Sequence, residues 1–308
     1  MTSTLGMKWK CLARTITYVG WSLFWLLVWD VAVTLDAMLV SGYGFELPLM
    51  PLTLLCSALV VLISFRNSSA YNRWWEARTL WGSMVNSSRS YGRQVLTLID
   101  DDGSLTNPVK ARLIQRHVAY LHALRLQLRG EKNPQSLHAL LGEEDIRQLA
   151  GASNLPNDIL NGSAELIARQ FKDGRLDSIR LARLESTMVD ISNWQGGMER
   201  IANTPLPYPY VYFPRLFSTL FCVIMPLSLV PTLGWFTPLI STVVGCMLLA
   251  MERIGTDLQA PFGTSQHRIR TDELCRNIEN NLRSMFCSSE RGALYLGSDL
   301  VGDRPQPA

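Results

Sequence analysis

Side chains able to do chemistry are few in this chain, and two of them stand where charge is costly. Asp30 and Asp36 lie inside an apolar run from Ile16 to Val40. An acid within a membrane span costs about 2.5 to 3.5 kcal/mol on insertion scales and marks an ion path, a proton relay or a buried pair. A membrane enzyme would have to use this pair, since no other acids share an apolar run. The other reading, equally open, puts Asp36 at the outer interface and pairs Asp30 inside a helix bundle. The remaining chemical patterns fail. The six cysteines, Cys11, Cys56, Cys222, Cys246, Cys275 and Cys287, form no CxxC or CxxH pair and read as small buried hydrophobes. The four histidines form no HExxH, and His117 and His122 are spaced too poorly to share a helix face. No GxSxG, P-loop or GxGxxG is present. The run Trp194-Gln-Gly-Gly-Met198 could suggest a phosphate nest, but it lacks the lysine and the strand, so a helix break is expected there. No catalytic residue, cofactor, metal or nucleic-acid partner is expected.

The elements that would hold these residues follow from how charge is segregated. Charged residues make up 18% of the chain, below the roughly 25% of a soluble domain, and they avoid three windows. No charge occurs between Glu46 and Arg66, or from Leu216 to Met251. A bilayer core needs about 20 apolar residues per helical span. The second run, Leu47 to Phe65, fits one span, and the third fits a hairpin of two, turned by Pro231 to Trp235. With Ile16 to Val40 the expectation is four spans. Lys8, Lys10 and Arg14 precede the first span, which runs on through Trp21, Trp25 and Trp29 without a convincing cleavage site and so reads as uncleaved. Only Glu46 separates spans one and two, whereas Arg66, Arg73 and Arg78 follow span two and Arg253, Arg268 and Arg270 follow span four. By the positive-inside bias both termini and the long middle segment are expected in the cytoplasm.

The middle is rich in periodic leucine. Val109 to Leu128 aligns Leu113, His117, Leu121, Leu124 and Leu128 on one face, the pattern of an amphipathic helix opened by Asn107-Pro108. Asn133-Pro134 opens a loop-rich stretch to Gly162, with short helices at Leu137 to Leu141 and Asp145 to Ala150. Helix is expected again at Ala164 to Phe171 and from Leu176 to about Ile201. No alternating strand pattern is found, so the fold class is all-α. The expected organisation is residues 1–65 as the first two spans, 66–214 as a cytoplasmic helical domain, 215–254 as spans three and four, 255–290 as a helical tail, and 291–308 as a flexible end.

The stretch from Leu62 to Gly82 says most about function. No proline or glycine interrupts Thr53 to Ala77, so one helix can leave the membrane and continue. Such a helix sets Ser57, Val61, Phe65, Ser68 and Asn72 on one face. If several subunits gave this helix to a common axis, Val61 and Phe65 would form stacked apolar rings, a constriction that gates by dewetting. Alternatively, Val61 and Phe65 are ordinary core and the serines bond within or between helices. Arg73, Trp74 and Trp75 fit an interfacial belt.

Three motifs carry a family resemblance: FRNSSAYNRWWEARTLWG from Phe65 to Gly82, IANTPLP from Ile201 to Pro207, and MERIGTDLQAPFG from Met251 to Gly263. In this order they resemble the bestrophins, in their bacterial inner-membrane branch, over nearly the whole chain. The resemblance implies a homopentameric ion channel with four spans per subunit, a helical cytoplasmic domain and one central pore for small inorganic ions, chloride or other anions by family. Membrane lipid surrounds it. The family's neck of three apolar rings falls on Ser57, Val61 and Phe65, where Ser57 departs from the pattern. A cytoplasmic aperture falls on Ile179, with Leu176 as the alternative. Selectivity would draw on charges near the neck, for which Arg66 and Asp30 are opposing candidates. Animal members follow Pro-Phe-Gly with an acidic cluster that helps bind calcium. Here Pro261-Phe-Gly263 is followed by TSQHRIR before Asp272, too few carboxylates for calcium's oxygen shell, so no calcium gating is expected. Cation permeation in the same fold, or a non-conducting scaffold or sensor, are the alternatives.

Overall fold

The computed structural model describes residues 18–40, 48–100, 108–131, 137, 140–149, 151–263, 265 and 267–288. Lys8, Lys10, Arg14, Glu46, Asn107, the Asn133-Pro134 step and residues 291–308 lie outside them, as do His138 and Ala139 of the helix expected at Leu137 to Leu141. Among the described residues every regular element is a helix: α1 Trp21–Leu35, α2 Leu49–Leu98, α3 Pro108–Arg129, α4 Glu143–Gln148, α5 Leu155–Lys172, α6 Ser178–Asn203, α7 Tyr208–Leu233, α8 Thr237–Leu258 and α9 Thr271–Ser288. The chain forms two compact units. The first takes residues up to Trp75, Pro205–Pro261 and Ser265–Arg268, and the second takes the rest. The division therefore falls ten residues past Phe65, inside α2, because the helix carries its first-unit partners as far as the Arg73-Trp74 step.

In the first unit, three helical segments among the described residues are long and apolar enough to cross a membrane: Trp21–Val40, the start of α2, and Tyr208–Leu258. The last is broken at Gly234, whose φ of 54° suits a residue without Cβ, followed by a single tight turn to Phe236. Helix α7 keeps Pro214, Pro226 and Pro231 within its length. The turn therefore begins later than Pro231, since apolar spans tolerate proline where neighbouring helices and hydroxyls satisfy the freed carbonyls. Ser218, for example, donates to the Pro214 carbonyl at 2.6 Å. Helix α1 widens into a π-turn over Asp36–Val40. Leu26, Leu52, Leu59, Ile63, Phe221, Met225 and Leu248 form the apolar core. At its tightest point a Cβ on Gly245 of α8 would stand 2.3 Å from Leu26 Cδ2 and 3.6 Å from Cys222 Sγ. Glycine here lets α1 close on α8.

The second unit is built around α3. The expected one-faced helix is in fact buried on nearly every side, because α5, α6 and α9 all pack on it. The leucine face, with its His117, is joined in the interior by Lys110 and Arg116. Arg116 donates to Asp145 at 2.5 Å, to the Ile159 carbonyl at 2.9 Å and to Ser163 at 3.2 Å. Burial pushes its pKa down while Asp145 pushes it up. His117 lies between the rings of Tyr91 and Tyr120, at 4.7 and 5.6 Å between centroids. Burial lowers its pKa to about 3, so it is neutral. Helix α5 begins earlier than Ala164, at Leu155, where Asn154 caps it by accepting from Asn157 N and Pro156 occupies the first turn. Trp194 to Met198 is no break: α6 runs straight through it. A Cβ on Gly197 would meet the methyls of Leu80 at 3.0 and 3.1 Å, so this glycine serves a close helix contact.

Candidate functional site

The face predicted on α2 is present and open. Ser57 is exposed, Val61 is 54% exposed and Phe65 66% exposed, and Ser68 and Asn72 continue the line. Leu52, Leu59, Ile63, Arg66 and Ala70 form the opposite, buried stripe. Spacings of three and four generate both stripes from one helix. Val61 and Phe65 are thus not core of this chain, and each leaves a large apolar surface that water would not favour. Ser57 donates to the Thr53 carbonyl at 2.9 Å, and Ser64 to the Val60 carbonyl at 2.8 Å. Each hydroxyl proton is satisfied within the helix, which lowers the cost of a serine on an apolar face.

Arg66 and Asp30, expected as opposing charges near the pathway, both face inward. Arg66 is 1% exposed and donates to the Glu252 carboxylate at 3.2 Å, to the Glu252 carbonyl at 3.2 Å and to Thr256 Oγ1 at 2.6 Å. Asn67 donates to the Met251 carbonyl, Arg73 to the Gln259 carbonyl at 2.8 Å and Trp74 to the His267 carbonyl at 3.0 Å. A Cβ on Gly255 would sit 2.1 Å from Asn67 Oδ1, so the Asn67 amide fills the space that a side chain at this position would take. The motif after Phe65 and the motif after Met251 therefore form one hydrogen-bonded seam. Sequence reasoning missed Glu252 and Thr256 as the partners of Arg66; the signal was that both runs stood out together. Trp74 belongs to this seam, while Trp75 is exposed and stacks on Tyr71.

Asp30 is fully buried and accepts from Ser241 at 2.5 Å and Thr242 at 3.0 Å. Asp36 lies on the exposed side of the π-turn. One acid is sealed inside and the other faces out, so the pair does not converge as an enzyme's site would.

The second predicted constriction residue, Ile179, is 83% exposed in the first turn of α6, whereas Leu176 is 2% exposed. Asp177 separates them as the N-cap, accepting from the backbone N–H of Ile179 and Arg180, both at 2.9 Å. Arg180 in turn donates to Asp100 at 2.8 Å. The cap turns Leu176 into the core and lifts Ile179 out on a fixed turn. Among the described residues no group of three or more His, Cys, Asp or Glu side chains is arranged to hold a metal.

The model of the bacterial and fungal bestrophin proteins matches residues 11–284. The chain belongs to the bestrophin family. Among its relatives, this bestrophin is 32% identical over 256 residues to the voltage-dependent anion channel-forming protein YneE of Salmonella typhi, covering 83% of each chain. It is 32% identical to the protein of the same name in Escherichia coli, covering 87% of each. In structure it is similar to a bacterial bestrophin homolog from Klebsiella pneumoniae, with a TM-score of 0.80 and 28% identity over 85% of this chain and 96% of that one. The first and the last of the three motifs meet in the seam in this bestrophin.

Proposed function

We propose that this bestrophin is an anion channel in which five subunits place α2 around a central pore. Four spans cross the bacterial inner membrane, and both termini lie in the cytoplasm. The observation that carries this reading is the exposed line Ser57, Val61, Phe65 on the side of α2 away from its own subunit's core. Apolar side chains on that line need a neighbour other than water, and the same line from other subunits provides one. Val61 and Phe65 then form the neck, a dry constriction, with Ser57 as its more polar outer ring. Ile179, raised by the Asp177 cap, forms the cytoplasmic aperture, and the burial of Leu176 leaves it to the core.

The relatives' name, voltage-dependent anion channel-forming protein, supports anions as cargo. Arg66 and Asp30 act inside the subunit, so neither sets the sign of the ion. Because an apolar neck does not discriminate by charge, cation permeation is the second reading, favoured by the pairing of Arg66 with Glu252. Calcium does not gate the channel, since the segment after Gly263 carries no acidic cluster. Light scattering of the detergent-solubilised protein, followed by reversal potentials in asymmetric salt, tests the proposal. A pentameric mass and a reversal potential near that of chloride are expected. A monomer would leave only a scaffold or sensor, and a potential near that of the cation would reverse the selectivity.

A further inference from the structure

A cavity of about 460 Å³ opens between α1, α7 and α8 in the first unit, within the roughly 300 to 1,000 Å³ usual for ligand clefts. Its walls and its end differ in chemistry. Trp25, Leu26, Trp29, Val223 and Leu249 give an apolar flank, stiffened where Trp29 Nε1 donates to the Val223 carbonyl at 2.9 Å. Three charges complete the lining: Arg215, Glu252 and Arg253. Glu252 is already engaged by Arg66, whose side chain is fully buried. The Arg215 guanidinium makes no hydrogen bond or ion pair with the described residues, although the Arg215 carbonyl accepts from Thr219 at 2.9 Å, and the Arg253 guanidinium makes only a contact over the Tyr18 ring, 5.6 Å from its centroid. Once Glu252 is neutralised, two arginines remain without an acidic partner. Ser22 and Thr219 add hydroxyls to the lining.

We infer that this cavity holds an anionic glycerophospholipid, its phosphate on Arg215 and Arg253 and an acyl chain along the tryptophan wall. Guanidinium groups match phosphate in geometry as well as charge. Basic pockets between membrane helices on the cytoplasmic side are the kind that take anionic headgroups, and both arginines flank spans at the end read as cytoplasmic. An apolar wall beside a cationic end fits an amphiphile, whereas a soluble anion would use only the end. The site rests on the proposed orientation of the spans but not on the pore.

Native mass spectrometry of the full-length protein in detergent tests this with phosphatidylglycerol and phosphatidylcholine of identical chains. Retention of phosphatidylglycerol over phosphatidylcholine is expected. Arg215→Gln with Arg253→Gln should weaken that retention roughly thirtyfold, as about 1 kcal/mol per basic residue implies, and the corresponding lysine pair should keep most of it. Equal retention of the two lipids by the wild type would overturn the inference even if the glutamine pair fails to fold. So would undiminished retention by that pair. Competition by free glycerol phosphate would make the ligand a soluble anion instead. The same spectrum counts subunits, so a lone subunit that still selects phosphatidylglycerol would sink the channel reading and leave this site standing.

Discussion

The two parts of α2 solve opposite problems. Up to Trp75, in the first unit, the helix buries one stripe and leaves Leu54, Val61 and Phe65 open. From Glu76 on, in the second unit, it buries Trp81, Met84, Tyr91 and Val95 completely. Apart from Phe171, Ile179 and Val189, the second unit turns its large apolar side chains inward, as water demands, and it seals a few paired polar ones in with them. The first exposes Trp21, Trp25, Leu39, Tyr208 and Phe236 besides the α2 line, which makes sense only against lipid or another subunit. Buried charge follows the same division. Arg66 joins two neighbouring helices across a seam, while Arg116 ties α3 to α4 and α5 at the centre of a water-type core.

That contrast can be broken at its most demanding point by Arg116→Ala. Asp145, 3% exposed, would be left with the half-exposed Arg112 at 2.8 Å, so the loss should fall at or below the lower end of the range, about 3 to 5 kcal/mol, that breaking a buried pair costs. Chemical denaturation should show that loss in the second unit. A variant as stable as the wild type would mean that the interior is wetter than its burial suggests.

Acid sharpens the same contrast. His117 has a folded-state pKa of about 3 against 6.5 for the free side chain, so between those values the unfolded chain binds the extra proton and stability falls as pH falls. At about pH 4 the loss amounts to roughly 3 kcal/mol from this group. His117→Phe should flatten that part of the stability profile, and an unchanged profile would contradict a buried neutral imidazole.

Within the first unit the tight packing at Gly245 predicts a smaller effect. Gly245→Ala should lower stability in detergent by about 1 to 3 kcal/mol through collision with Leu26. The double variant with Leu26→Ala should cost less than the two single changes summed, and strict additivity would place the strain elsewhere. Smallest is Asn154→Ala, which removes the α5 cap at a cost of about 1 kcal/mol, read as a lowered melting temperature.

Much of this architecture was legible in the residues. The absence of proline and glycine from Thr53 to Ala77 announced an uninterrupted α2, and spacing alone put Ser57, Val61 and Phe65 on one face. Other features depended on partners distant in sequence. Nothing beside Arg116 says that Asp145 and the Ile159 carbonyl will receive it, so α3 looked amphipathic when it is central. Gly196-Gly197 looked like a break because the contact that rewards Gly197 is Leu80, on another helix. Pro231 looked like a turn because its local cost is plain and its compensation in a packed span is not. Arg66 next to an apolar run suggested a pore charge, and only Glu252 and Thr256, far along the chain, turn it inward. What surrounds the Val61 and Phe65 face is a matter of assembly.

The most direct test is single-channel conductance in planar bilayers for Val61→Ala combined with Phe65→Ala, with assembly verified by mass. Widening a dry neck should raise conductance above that of the wild type. Assembled channels with unchanged conductance would contradict the assignment of the neck to this face of α2.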